Sequence, residues 1–201
     1  MGTRGLFGFY KQGITKTTYN HSDSYPEGLG LDILKELREY TMDELNKTFD
    51  RIILIDERNK PTKDQLNEVI EYTDLNVGQT KEDTDTKGVL WYQALRKAQG
   101  NLEPWVKKGL KYMIDSQDFI KDSLFCEWAY IINLDSNELE IWIGFQKVPV
   151  HSRYYRDNRD LSEPGSEYYP CAMIKKYSLS KLPSDKKFIK DMKIAKVIDN
   201  L

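Results

Sequence analysis

Arginines interleaved with tyrosines, and glycines crowded around short polar side chains, are the two patterns in this sequence with chemistry to offer. In His151-Ser152-Arg153-Tyr154-Tyr155-Arg156-Asp157-Asn158-Arg159, three arginines accompany two tyrosines. A guanidinium pairs with phosphate through a planar fork, and an aromatic ring stacks on a base or a cation. At the N-terminal end, Gly2, Gly5, Gly8, Gly28 and Gly30 surround Thr3, Arg4, Asn20, His21, Asp23 and Ser24. Glycine admits close backbone approach to a ligand, so a hairpin handing these groups to one loop would build a polar pocket mouth. The same residues also suit plain architecture: Asn20 and Asp23 closing an Asx turn that Ser24 caps, and arginines paired with Asp157, Asp160 and Glu163 on a solvated loop. The candidate ligand-binding set is Thr3, Arg4, Asn20, His21, Asp23, Ser24, Tyr25, Trp128, Arg153, Tyr155 and Arg156.

Other constellations are poorer. His21 and His151 are the only histidines, so a metal site or a Ser-His-Asp triad would have to use one of them. Cys126 and Cys171 fall in predicted strands, where cysteine is usually a small core residue rather than a nucleophile. The run from Glu82 to Gly88 has calcium-loop spacing in part, but Lys87 stands at a ligand position and Ala94 replaces the bidentate glutamate. Gly28-Leu29-Gly30 before a helix could receive a phosphate, yet is too short to be a dinucleotide fingerprint. Alternation puts Cys126, Trp128 and Tyr130 on one strand face and Trp142 with Glu140 and Gly144 on another strand's face. These tryptophans are core aromatics, pocket walls, or one of each. No catalytic residue, metal or cofactor is assigned.

Gly2-Thr3-Arg4-Gly5, then Tyr19-Asn20-His21-x-Asp23-Ser24-Tyr25-Pro26-x-Gly28-x-Gly30, then Glu127-Trp128-Ala129-Tyr130 leading to Leu134-Asp135 resemble a family of proteins of unassigned activity found in phages, bacteria and fungi. The match covers the first thirty residues well and the segment from Glu127 to Phe145 fairly well, and it implies shape more than function. A weaker resemblance is to the N-terminal nucleophile hydrolase fold. That class needs Cys, Ser or Thr at the processed terminus, whereas removing Met1 here leaves Gly2, and Thr3 would need a second cleavage.

The elements that must position these groups follow from pattern. Leu6 to Tyr10 and Ile14 to Tyr19, around Lys11-Gln12-Gly13, predict a hairpin. Leu31, Leu34, Leu37 and Tyr40 give a helix with one apolar stripe. Thr41-x-x-Glu44 and Thr62-x-x-Gln65 are capping boxes; the first helix is expected to reach about Asp56, in preference to a short strand over 51–55, and the second about Tyr72. A surface loop over 76–88 precedes further helical stretches ending near Phe119-Ile120. Cys126 to Leu134 and Leu139 to Phe145 predict a second hairpin, followed by a strand from Cys171 to Tyr177 and a helix after Pro183-Ser184. The expectation is one α+β domain over 1–201, a mainly antiparallel sheet of N- and C-terminal hairpins packed against a mostly helical 31–120 segment.

Composition bounds the rest. The chain has 201 residues, 39% of them hydrophobic, and a net charge of −2 from 30 basic and 32 acidic residues. It can offset the entropy cost of folding, and it offers no global field for nucleic acid. Two cysteines make no disulfide framework, and no run approaches the ~18 apolar residues of a membrane span. A cytoplasmic protein without lipid anchor or signal peptide is expected, in which homo-oligomerisation is left open. The reading these points favour is a non-catalytic binding protein for a small anionic, nucleotide-type molecule, which in a phage would sequester a host defence signal. A hydrolase, either an amidase using Thr3 or a nucleotide-cleaving enzyme using His21 and Asp23, and a protein–protein inhibitor are the alternatives.

Overall fold

The computed structural model describes residues 2–155 and 167–199. Strands β1 (Gly5–Lys11) and β2 (Ile14–Asn20) form the expected hairpin, with Gln12 and Gly13 both at positive φ in its turn. A wide turn at 26–30 leads into α1 (Leu31–Leu37), and then α2 (Met42–Arg51) opens on the Thr41–Glu44 capping box with both reciprocal bonds made. The chain does not continue as helix to Asp56: Ile52 turns extended and β3 (Ile53–Ile55) follows. Three β-branched or apolar residues in a row favour a strand once a partner is present, and that partner is β4, far along the chain.

Helix α3 (Lys63–Glu68) has its capping box at Thr62 and Gln65 and passes into a tighter turn over 70–72. The 76–88 segment is not all loop. It carries α4 (Lys81–Lys87), started by Thr80, whose hydroxyl oxygen accepts from Asp83 N, and held by a Lys87–Asp83 pair. Helices α5 (Trp91–Ala94) and α6 (Glu103–Val106) are short, and β4 (Tyr112–Ile114) interrupts the expected helical run, pairing in parallel with β3. Strands β5 (Trp128–Asn133), β6 (Glu138–Ile143) and β7 (Ala172–Ser178) and helix α7 (Asp185–Asp199) complete the fold.

The fold is α+β. The main sheet has the order β2-β1-β5-β6-β7. All its pairs are antiparallel except β1 with β5, which run parallel from Gly5↔Trp128 to Tyr10↔Asn133. One face carries Phe7, Phe9, Trp128, Tyr130, Ile132 and Ile141 against the helices, where Leu34, Leu45, Trp105 and Phe188 meet them. The other face carries Leu6, Ala129, Ile131 and Trp142 under Ile120, Cys171 and Tyr154. Burial on both faces explains why Trp128-Ala129-Tyr130-Ile131-Ile132 is apolar without alternation. Cys126 precedes β5 and packs with the second face, not beside Trp128 as strict alternation predicts.

One packing contact carries a pH signature. The carboxylate of Glu36 on α1 accepts from Leu102 N at 2.8 Å, and burial pushes its pKa up to about 7, with Asp32, Glu103 and Glu39 acting in the same direction. A folded-state pKa above the unfolded value of about 4.3 means that the native state holds the extra proton. This contribution is therefore fully favourable at low pH and is lost as pH rises through about 7. Glu36→Gln keeps an acceptor for Leu102 and removes the charge. It should match the parent near pH 4.5 and exceed it at pH 8 by about 1 kcal/mol, discounted for partial exposure, as read by thermal unfolding at the two pH values.

Candidate functional site

The end of the first hairpin is built as a knot. Asn20, 7% exposed, donates from Nδ2 to Ser22 O (2.6 Å) and Ser24 Oγ (2.8 Å). Ser24, fully buried, donates its N–H to Thr3 O (3.1 Å), and its carbonyl accepts from Tyr130 Oη (3.0 Å). Gly5 is required here, because a Cβ would stand 2.6 Å from Ser24 Cβ and 2.4 Å from Trp128 O. Asp23 occupies the left-handed region at φ +55° and its carbonyl accepts from Leu29 N (2.9 Å), closing the loop. Asn20 and Ser24 are thus committed inward, while His21, Asp23 and Tyr25 stay exposed.

Beside this knot, along the β2 edge, lies a cleft of about 870 Å³. Its walls are Tyr19 and His21 from the end of β2, Tyr92 from α5, Phe119, and Leu54 and Ile55 of β3. The small parallel pair reaches the β2 edge through Ser116 N donating to Thr17 O at 3.0 Å, so the residues just past the carboxyl ends of β3 and β4, Asp56 and Asp115, open onto the cleft. Ligands of parallel strands commonly sit at such carboxyl ends. The rings are set edge to face: Tyr19 to Phe119 at 5.1 Å and 74°, Tyr19 to His21 at 6.0 Å and 72°.

Charge in the cleft is mixed. Asp115 accepts from the backbone and side chain of Gln117, and Asp56 from Arg58. Burial pushes the Asp122 carboxyl above its usual range, opposed by the N–H groups of Phe125 and Leu124 and by Arg4. His21 is held below its ordinary value by desolvation first, then by Arg96 and Arg4, which keeps its imidazole neutral near pH 7. Burial raises the Tyr19 hydroxyl, against the pull of Arg4 and Arg96.

The cleft takes up one residue of the sequence-based set, His21; Arg4 is exposed with its guanidinium over the Phe125 ring at 5.3 Å, and Thr3 contributes its backbone to the knot. Trp128 is 5% exposed and lies in the core, as a packing aromatic. Arg153 is committed elsewhere: it forks onto Glu140, with Nη1 to Oε1 at 2.9 Å and Nη2 to Oε2, and stacks over Tyr10 (4.2 Å), Tyr154 (4.8 Å) and Trp142 (5.0 Å). Its expected partners Asp157, Asp160 and Glu163 lie outside the described residues, as does Arg156. Tyr155 meets the rings of His151 and Tyr169. Tyr10 and its partner Thr15 stand at one end of the hairpin and Asn20 at the other, about 17 Å apart at a rise of roughly 3.4 Å per residue. Arg153 and the N-terminal loop therefore do not form one pocket.

The sequence reading missed Tyr19, Tyr92 and Phe119 as site residues. Only Tyr19 left a signal, since strand alternation opposes it to its inward neighbours Thr18 and Asn20; the others arrive from distant segments. Both cysteines are buried, and burial pushes the Cys126 thiol far up, so it is no nucleophile at neutral pH. Among the described residues no cluster of three potential metal ligands exists, and no helix is long and apolar enough to cross a membrane. No family model, curated protein or solved structure matches the chain. The site's chemistry must therefore be read from its own geometry.

Proposed function

We propose that this protein is a non-catalytic binder of a small anionic metabolite of the nucleotide type, held in the cleft beside β2. The observation that carries this reading is the grouping of Tyr19, His21, Tyr92 and Phe119 around one opening that also presents charges of both signs. Aromatic faces receive a base, arginines pair with a phosphate, and carboxylates accept from ribose hydroxyls or exocyclic amines. His21 contacts the ring of Tyr19 and hydrogen-bonds to no serine, threonine or cysteine among the described residues, so its geometry favours lining over activating. In a phage, such a protein would act by sequestering a host nucleotide signal.

Calorimetry against a panel of cyclic, linear and ADP-ribose-derived nucleotides tests this. At least one should bind at micromolar Kd and be recovered chemically unchanged. Tyr19→Ala should weaken it about tenfold or more, since stacking contributes ~1–3 kcal/mol per base, while circular dichroism stays that of the parent. No binding tighter than millimolar, or conversion of the ligand to product, overturns the proposal.

A further inference from the structure

Tyr92 lines the cleft from α5, and α5 is firmly rooted. Its neighbours Trp91, Ala94 and Leu95 are buried, and the N–H groups of Trp91 and Tyr92 donate to Asn59 O (2.9 Å) and Glu57 O (3.0 Å). The segment that packs on the Tyr92 ring is not rooted in that way. The backbone of Gly78 lies against the ring: a Cβ there would stand 2.6 Å from Cδ1 and 2.8 Å from Cε1, and φ is +75°, so glycine is needed on both counts. Two residues on, the chain enters α4, whose seven residues Lys81 to Lys87 include no apolar side chain and none that is buried. A helix that is polar all round has no face to hold it to a core. At its far end Gly88 takes φ +83° and ψ 170°, a region essentially confined to glycine. Two glycines at positive φ therefore bracket residues 79–87.

A side-chain latch attaches this segment to α5. Gln93 is fully buried; its Oε1 accepts from Gln79 Nε2 (2.9 Å) and Leu90 N (3.2 Å), and its Nε2 donates to Thr84 Oγ1 (3.0 Å). Gln79 Nε2 also donates to Gly88 O at 3.3 Å, which ties the two ends of the segment together. A segment with few buried apolar contacts opens at far lower free energy than the whole fold, and glycines at its ends absorb the change in φ and ψ. Resting on the reading that the cleft is the binding site, we infer that residues 79–87 form a hinged strap, latched on Gln93, that swings on Gly78 and Gly88 and sets the position of Tyr92 in the cleft. Closed, the strap fixes Tyr92 as a stacking wall. Open, the ring is free to turn and the cleft loses that wall. The coupling is reciprocal, so a ligand stacked on Tyr92 holds the strap closed.

Two measurements on the free protein test this separately from the function reading. The first is hydrogen exchange read by mass spectrometry on the full chain. Amides of 80–88 should exchange together, at least about a hundredfold faster than those of α5. Thr84→Val and Gln79→Ala each remove one latch bond at a side chain outside the core. Each should speed strap exchange about tenfold while exchange in the five-stranded sheet stays that of the parent. The second uses fluorine resonances of the protein labelled with 3-fluorotyrosine, with Tyr92→Phe assigning Tyr92 and Tyr177, packed on Phe188, as the reference. Both latch variants should shift or broaden the Tyr92 signal and leave Tyr177 unchanged. Strap exchange no faster than that of α5, or unaltered in both variants, overturns the strap; faster strap exchange with an unmoved Tyr92 signal overturns its control of the cleft. Repeating the exchange with each nucleotide of the calorimetric panel separates this inference from the function reading. A nucleotide that binds should slow strap exchange at least about fivefold, and one that binds without slowing it overturns the coupling. A panel with no binder, while strap and Tyr92 still respond together, overturns the nucleotide reading and supports the strap.

Discussion

Arg153→Ala should lower stability by about 3 kcal/mol, although Arg153 is a loop residue touching neither the helices nor the cleft. The cost arises at its partner. Glu140 is 3% exposed in the middle of β6, and its carboxylate is held by Asn133 Nδ2 (2.7 Å), Trp142 Nε1 (3.1 Å) and both Nη atoms of Arg153. Removing the guanidinium leaves a buried negative charge with neutral donors only, and breaking a buried pair from one side typically costs ~3–5 kcal/mol. The lower figure applies because the Arg153 side chain is 24% exposed. Stacking on Tyr10, Trp142 and Tyr154 is lost as well. In the Arg153→Ala background, Glu140→Gln should recover part of the loss, because it removes the unpaired charge, while its amide nitrogen turns onto one of the two remaining donors, Asn133 Nδ2 or Trp142 Nε1. Urea unfolding of the two single variants and the double variant gives the coupling energy. A loss under 1 kcal/mol for Arg153→Ala, or no recovery in the double variant, would show that the pair does not hold the 151–155 segment to the sheet.

Gly8→Ala should be as damaging for a purely steric reason. Gly8 stands mid-strand in β1, flanked by Thr17 of β2 and Ile131 of β5, at φ +148°. An added Cβ would lie 2.2 Å from Lys16 O and 2.8 Å from Thr17 Cα, both backbone atoms of the neighbouring strand. No rotamer change relieves that contact, and the strand is paired on both sides, so β1 and β2 would have to separate. The expected loss is about 3 kcal/mol or more, beyond the ~1 kcal/mol common for point substitutions. Gly13→Ala is the control: its φ is also positive, at +78°, but nothing lies within 4 Å of the new carbon, so about 1 kcal/mol is expected. Comparable losses for the two variants in chemical denaturation would contradict the steric account.

Local chemistry was legible where the decisive contacts lie within a few residues. Thr41 with Glu44 and Thr62 with Gln65 each make both capping-box bonds, because the geometry of a first helical turn needs no help from elsewhere. Turn residues marked both hairpins, and the α+β class followed from their placement around a helical middle. Ile52 to Ile55 defeated the same reasoning. An apolar run of that length suits a helix end or a strand, and only β4, nearly sixty residues on, decided for the strand. Met113 was misplaced in a helix for the mirror-image reason.

The candidate site divides in the same way. The sequence by itself determined that Asn20 to Gly30, crowded with turn formers, is an ordered loop following the first hairpin, and the structure closes it through Asn20, Ser24, Asp23 and Leu29. Whether each polar group turned inward or outward was beyond it, because the Ser24 carbonyl is held by Tyr130, more than a hundred residues away, and Asn20 follows through its bond to Ser24 Oγ. It also could not show that β1 joins β5 in parallel, that Arg153 is spent on Glu140, or that Tyr92 and Phe119 gather beside Tyr19 and His21. Each of these depends on which distant surfaces bury one another. Burial is a property of the assembled fold, and side chains that are equivalent along the chain become core, latch or cleft wall only when it forms.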